Sequence, residues 1–485
     1  MTERALSIVE LAPAAGACCD SCTAEFFPTQ TIPAGSAPVV TRPELPVAPI
    51  TPADLIVLEP DPRRSVSRAA DRRITVAGLV VSAGFLAAAV AALWLPEPLR
   101  RGLWLPVHLG LAGAAGTAVA SVLPFFVAAL SVASPMGLIV RGGAIALIAG
   151  GALIASLGVV GSIQPAALAG ALSYLAGLGA VSVAAFWPLR GALGQRRRLV
   201  LTAYGAAIAQ VAVSVGIVGT MLAGYTPVVE RWGLLKPAHA WLNLFGFLSV
   251  IVAATLIHLA PTVAGTRIVP RRSALVALLG LVAGAPLVAL GLALGDDPVA
   301  RLGALVGLVG AIGLVAHALA VRRDRGRWTT DPDWHRLTSW SLLAAPAWLL
   351  VAVAVAAGRI LWLGAVPAAW SLESIAAPLA VGWVVQVLIG AWSQLLPAIG
   401  PGDMAAHARQ RTSLGRAAAG RLAALNLGVA SVMLGGAIAW TALVLAGLVL
   451  GGGTILASLA IFVDATRTGR GTALPSSPAS VRGSG

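Results

Sequence analysis

Twelve long apolar stretches, separated by short polar segments, occupy most of the chain. Their approximate limits are 74–95, 104–131, 137–159, 164–188, 199–223, 237–265, 273–295, 300–321, 338–357, 370–398, 421–441 and 443–464. At about 1.5 Å per residue each can cross a hydrocarbon layer of about 30 Å. The pattern predicts an all-α polytopic membrane protein of about twelve transmembrane helices, residues 73–465. The last two spans are parted only by a tight turn near Trp440 and Thr441. Residues 1–72 are rich in Pro, Ala and Thr, have no sustained apolar period, and are expected to form a disordered tail. Residues 466–485 form a second such tail.

The polar segments alternate in charge. With the N-terminus placed inside, 25 of the 33 Lys and Arg fall on inner connections or at inner span ends, six fall outside, and two lie far up the tail. The outer six are Arg100, Arg101, Arg231, Lys236, Arg301 and Arg359. This asymmetry predicts both termini in the cytoplasm and a multi-pass protein of the plasma membrane. It also removes nucleic acid as a partner, because the net charge of +14 resides in short loops between apolar spans. The bilayer is the expected surrounding: the chain is 58% hydrophobic and only 11% charged, against about 25% charged in soluble domains. Gly and Ala crowd the spans, which favours close helix packing. Trp94, Trp104, Trp187, Trp232, Trp241, Trp362 and Trp370 stand near span ends, where indoles favour the interface.

All three cysteines, Cys18, Cys19 and Cys22, are in the N-terminal tail, so the spans carry no disulfide. Cys19 and Cys22 have the spacing of a metal or redox pair. A zinc site wants four ligands and no tail histidine is near, so they read as reduced thiols. The first apolar run is broken by Glu10 and does not read as a signal peptide.

Polar residues within spans are costly in lipid and point to function. The stretch from Lys236 to Arg272 carries His239 and His258 near its two ends, about 28 Å apart on a helix. Nineteen residues leave them about 100° apart around an ideal helix. His108 opens the second span, His239 the sixth and Glu373 the tenth, all on the outer side. Asn243 shares a face with His239. His258, His317 and Gln394 lie on the inner side, so polar residues sort into two levels. His335 and His407 fall in loops and read as solvated. Two histidines on two helices at one depth can ligate a haem iron axially. With Glu373 they can hold copper or another transition metal. A span-end histidine can also be satisfied by water or a carbonyl, and Glu373 can serve a helix N-terminus. His258-Leu-Ala-Pro261 and Gln394-Leu-Leu-Pro397 look alike, a short hint of internal repetition.

His239-Ala240, Phe245-Gly246-Phe247 and Gly265-Thr266-Arg267, together with Gly382 to Pro397, resemble the NnrS-like membrane proteins, distant relatives of the catalytic subunit of haem-copper oxidases. The sequence is also similar to the membrane part found with copper nitrite reductases or multicopper oxidases in actinobacteria. The resemblance covers about residues 100–440. It implies twelve helices, haem, copper or both, electron transfer, and a role in nitric oxide or copper physiology, with a copper oxidase, nitrite reductase or other redox protein as partner. His108 matches an early second-span ligand of that family. The family's oxygen-reducing centre needs histidines on the seventh and tenth spans. Here the seventh has none and the tenth has Gln386 and Gln394, so that centre cannot be assembled. The polar residues of the spans are read together as a site, with His108 and His239 as metal ligands and His258, Asn243, Glu373 and Gln394 as further cofactor contacts; the resemblance itself carries over His108. A secondary transporter is the competing expectation, since twelve spans with both ends inside suit one.

Overall fold

The computed structural model describes residues 62–191, 198–327, 330–366, 371–399 and 403–470. All regular structure there is helical. Twelve helices are long and apolar enough to cross a membrane: Asp71–Trp94, Glu97–Leu130, Leu138–Val160, Gln164–Arg190, Arg198–Leu222, Trp232–Val263, Arg272–Leu294, Asp297–Arg325, Asp333–Leu363, Leu372–Pro397, Ala418–Ala437 and Thr441–Thr468. They are numbered here as spans one to twelve. The protein is thus an all-α, multi-pass membrane protein. The first helix begins at Pro62, inside the stretch read as tail, because Arg, Ala and Ser sustain helix ahead of the apolar run. The last runs on to Arg470. Cys18, Cys19, Cys22 and Trp370 lie outside the described residues, as do residues 471–485.

The spans form three consecutive four-helix units, a repetition far more extensive than the short motif pair suggested. In each unit the third and fourth spans make a hairpin along a seam of small residues. Gly158, Gly291 and Gly435 head the three seams. A β-carbon on any of them would overlap the backbone nitrogen nine residues on, at Ala167, Ala300 and Val444. Seven residues earlier, Gly151, Gly284 and Gly428 meet the opposite backbone at Tyr174, Gly307 and Gly451. Gly170, Gly303 and Gly447 return the contact to the backbone of Ala155, Val288 and Val432. Each of these glycines faces main chain of the opposite helix, so the helices approach closely.

The turns repeat as well. Ile163 N–H bonds Gly158 O (2.7 Å), Asp296 N–H bonds Gly291 O (2.8 Å) and Trp440 N–H bonds Gly435 O (2.8 Å). In each turn one residue is left-handed: Ser162, Gly295 or Ala439, with φ of 56°, 69° and 54°. This closure satisfies the last carbonyls of the incoming helix. Ser162 and Ala439 hold a conformation that favours glycine, so the seam imposes it.

The second span of each unit carries a π-helical segment: Leu109–Ala115, Leu242–Leu248 and Ala377–Val385. Each contains one glycine against which a side chain of the preceding span packs: Phe85 on Gly113, Gln210 on Gly246 and Trp348 on Gly382. The widened turn changes which residues share a face. On an uninterrupted α-helix Thr255 would stand about 160° from His239. Yet His239 bonds Ser214 (2.7 Å) and Thr255 bonds Tyr204 (2.9 Å), both in the fifth span. The extra residue of a π turn rotates the rest of the helix by roughly 100°.

The sixth span is the most enclosed, 78% buried over its apolar window against 22–56% in the others. At the arginine-rich end, Arg141 is buried against Asp71 (2.6 Å) and Thr75 (3.0 Å), tying span three to span one. Polar side chains are not confined to two levels. Gln210 lies mid-way along span five and donates to Val282 O (3.2 Å). Gln386 lies mid-way along span ten, fully buried, with neither amide atom hydrogen-bonded.

Candidate functional site

Histidines 108 and 239 meet. Their ring centroids are 6.4 Å apart and their planes differ by 9°. His108 closes the first helical turns of span two, just ahead of the π segment. Its Nδ1 is 2.7 Å from Trp104 O, one turn back. A carbonyl only accepts, so Nδ1 carries the proton and Nε2 keeps its lone pair. The Trp104 ring covers the imidazole, with centroids 4.1 Å apart. His108 Nε2 has no hydrogen bond among the described residues.

His239 is held from span five. Its Nδ1 is 2.7 Å from Ser214 Oγ and 3.1 Å from Ser214 O. Ser214, fully buried, donates its hydroxyl proton to His239 O (3.1 Å). Asn243 Nδ2 donates to Ser214 Oγ (2.6 Å) and to His239 O (2.8 Å). With the serine proton spent, Nδ1 of His239 is again the donor and Nε2 the lone-pair nitrogen. Trp232 flanks this ring at 6.4 Å. Each imidazole is thus a neutral nitrogen donor whose other nitrogen is anchored, as ligating histidines are in metal sites.

The two rings form a near-parallel, stacked pair at one end of the bundle. Lys236, one turn before His239, and Arg231 are exposed cations at the same end.

The structure assembles His108, His239 and Asn243. It does not add the other residues read as contacts. Glu373 is exposed in the first turn of its helix, and among the described residues no three His, Cys, Asp or Glu side chains form a metal-holding group. The expected His–His–Glu copper set is therefore not formed; the acid sits at a helix start, where its charge is solvated. His258 lies at the far end of span six, its carbonyl accepting from Thr262 (2.9 Å). Gln394 is likewise at the arginine-rich end, half-buried, its Oε1 without a hydrogen bond. His317 is buried, 3% exposed, in span eight. Ser214, Trp104 and Trp232 are the participants that sequence reading missed. Trp104 carried a signal, its four-residue spacing from His108; Ser214 carried none, because its partner is on another span.

The chain matches no protein-family model and no curated protein.

Proposed function

We propose that this chain is a haem-binding membrane protein, of the NnrS-like or haem-copper-oxidase-like type, with His108 and His239 as the axial ligand pair. The observation that carries the reading is the paired imidazoles: near-parallel rings 6.4 Å apart, each anchored through Nδ1. Two protein nitrogens do not complete a copper or zinc site, but a porphyrin brings four equatorial nitrogens of its own and needs only two more. Haem so held supplies one-electron chemistry. The protein's part would be to fix both rings and to shield one with Trp104, with Lys236 and Arg231 as exposed cations at the same end. A six-coordinate iron suits electron transfer, so the function is redox relay at the plasma membrane in nitric oxide or copper physiology, with a copper oxidase or nitrite reductase as partner.

The test is the absorption spectrum of the purified protein with a haem assay. A Soret band lost in both H108A and H239A, but kept in H258A, supports the reading. A colourless protein reconstituted with haem to no spectral change overturns it.

A second reading, a secondary transporter, rests on one observation: Gln386 and the Trp383 indole nitrogen are buried mid-way along span ten without partners. Mid-span polar groups are where transporters hold substrate. Solute uptake in proteoliposomes that Q386L abolishes would favour it.

A further inference from the structure

The two boundaries between units are built alike. Spans four and five meet where unit one joins unit two, and spans eight and nine where unit two joins unit three. Gln164, Asp297 and Thr441 each follow the glycine that heads their hairpin, Gly158, Gly291 or Gly435, by six residues. Gln164 donates to Leu222 O at the end of span five (2.6 Å). Asp297 accepts from Ala365 N–H just past span nine (2.7 Å). In both cases the first residue of a fourth span ties down the end of the next unit's first span. The register holds along the helix: Arg190, Arg323 and Arg467 each stand twenty-six residues further on.

The receiving face repeats too. Phe85, Gln210 and Trp348, the side chains packed on the π-segment glycines, set the register of spans one, five and nine. Five residues before them lie Val80, Gly205 and Leu343. A β-carbon on Gly205 would be 3.9 Å from Phe186 Cζ of span four. Leu343 lines one small cavity with Ala318 and Val321 of span eight. Val80, on the first of the twelve spans, is instead 66% exposed.

Unit three carries the matching donor face and leaves it open. Seven residues into spans four and eight, Ala171 and Ala304 are 5% and 1% exposed; their counterpart in span twelve, Leu448, is 55% exposed. Val463, the counterpart of Phe186, is exposed, and so is Thr441. Thr441, Leu445, Leu448, Gly452 and Leu459 follow the four–three heptad spacing that lays one helix along another. Spans twelve and one are also the two least buried of the twelve.

We propose that span twelve of one copy packs against span one of a second copy, Val463 against Val80, as span four packs against span five within the chain. The internal pairs are antiparallel, and spans twelve and one are antiparallel between copies inserted in the same direction. The two faces are different surfaces, so the contact is head-to-tail and joins copies into a ring or a row, not a two-fold dimer. Close packing of the two stripes drives it. The contact is independent of the His108–His239 pair.

Cysteine cross-linking of the full chain in its membrane tests it, in a background of C18S, C19S and C22S. Two differently tagged chains, one with V80C and one with V463C, are co-expressed and oxidised. The mixed pair should give a dimer carrying both tags, and a chain with V80C and V463C together a ladder reaching past dimer. G452W, whose side chain starts in open space and so leaves the fold intact, should abolish both. An absent mixed product overturns the proposal, as does cross-linking that survives G452W. It is also overturned by a double variant that closes only within its own chain, or by V463C that links to itself as strongly as to V80C. Native mass spectrometry that finds the wild type as a monomer carrying only lipid overturns it too.

Discussion

The first two units and the third share a scaffold and differ in what they do with it. Units one and two place a histidine at the head of the π-bearing span, and these two rings meet. Unit three keeps the π segment, its glycine Gly382 and the side chain packed on it, Trp348, yet has Glu373 exposed at the head. Its polar investment is lower in the span: Gln386 and Trp383 unbonded, and Trp348 Nε1–H donating to Asn426 Oδ1 (2.6 Å). The seams and π turns are therefore properties of the fold, whereas the ring pair belongs to two units only. Glycine seams are set by main-chain geometry and tolerate one solution. A ligand pair is set by a few side chains, and it can be present in one unit and missing from its repeat.

Substitutions at four places break or sharpen that contrast. The largest effect is expected at the seams. G158L, G291L and G435L each drive a side chain into facing backbone and should cost about 3 kcal/mol or more, read as loss of monodisperse protein. G307A is the control: its β-carbon would meet only Gly284 at 4.0 Å, so its loss should be small. If one of the three seams accepts leucine, the units are not equivalent. Next is S214A, which removes the hydroxyl that anchors His239 and leaves the Ser214 carbonyl, 3.1 Å from Nδ1, as the remaining acceptor. Haem affinity should fall about 10–100-fold with folding retained, as for other residues that orient a metal-bound histidine. In unit three W348F deletes one neutral hydrogen bond and should cost about 1 kcal/mol in thermal unfolding, with no spectral change. Smallest is Q386L. An unbonded buried amide replaced by an apolar group of like size should change stability by less than about 1 kcal/mol, or raise it. A large loss there would mean that the amide is bonded in the working protein.

Much of the fold was legible in the chain. Apolar stretches a bilayer thick are the strongest signal a sequence can carry, and each of the twelve coincides with a helix, although several helices run on past the apolar limits, as at Pro62, Glu97 and Leu363. The turn at Trp440 was also readable, since Ala437 ends one helix and Thr441 begins the next. The seams were written in the spacing of Gly151, Gly158 and Gly170 and their two echoes. They were hidden because glycine is abundant throughout the chain, 55 in all. The π segments were not readable. They arise where a side chain of the preceding span presses on a glycine, a contact between helices that no periodicity reports. For the same reason the depth of His108 and His239 could be inferred, while the anchor Ser214 could not. His335 shows the opposite failure. It was read as a loop residue and so as solvated, but it lies in the first turn of span nine and reaches the carbonyl of Val263 at the end of span six.

The backbone-to-backbone seams also set how this chain tolerates sequence drift. Nearly any apolar residue serves on the outer wall, where Ile139 and Val449 are 91% and 76% exposed to whatever surrounds the bundle. Along the three glycine lines no larger residue can be traded in without moving a whole helix. Variation among descendants of this chain should therefore pool on the lipid side and fall away at nine small positions that perform no chemistry.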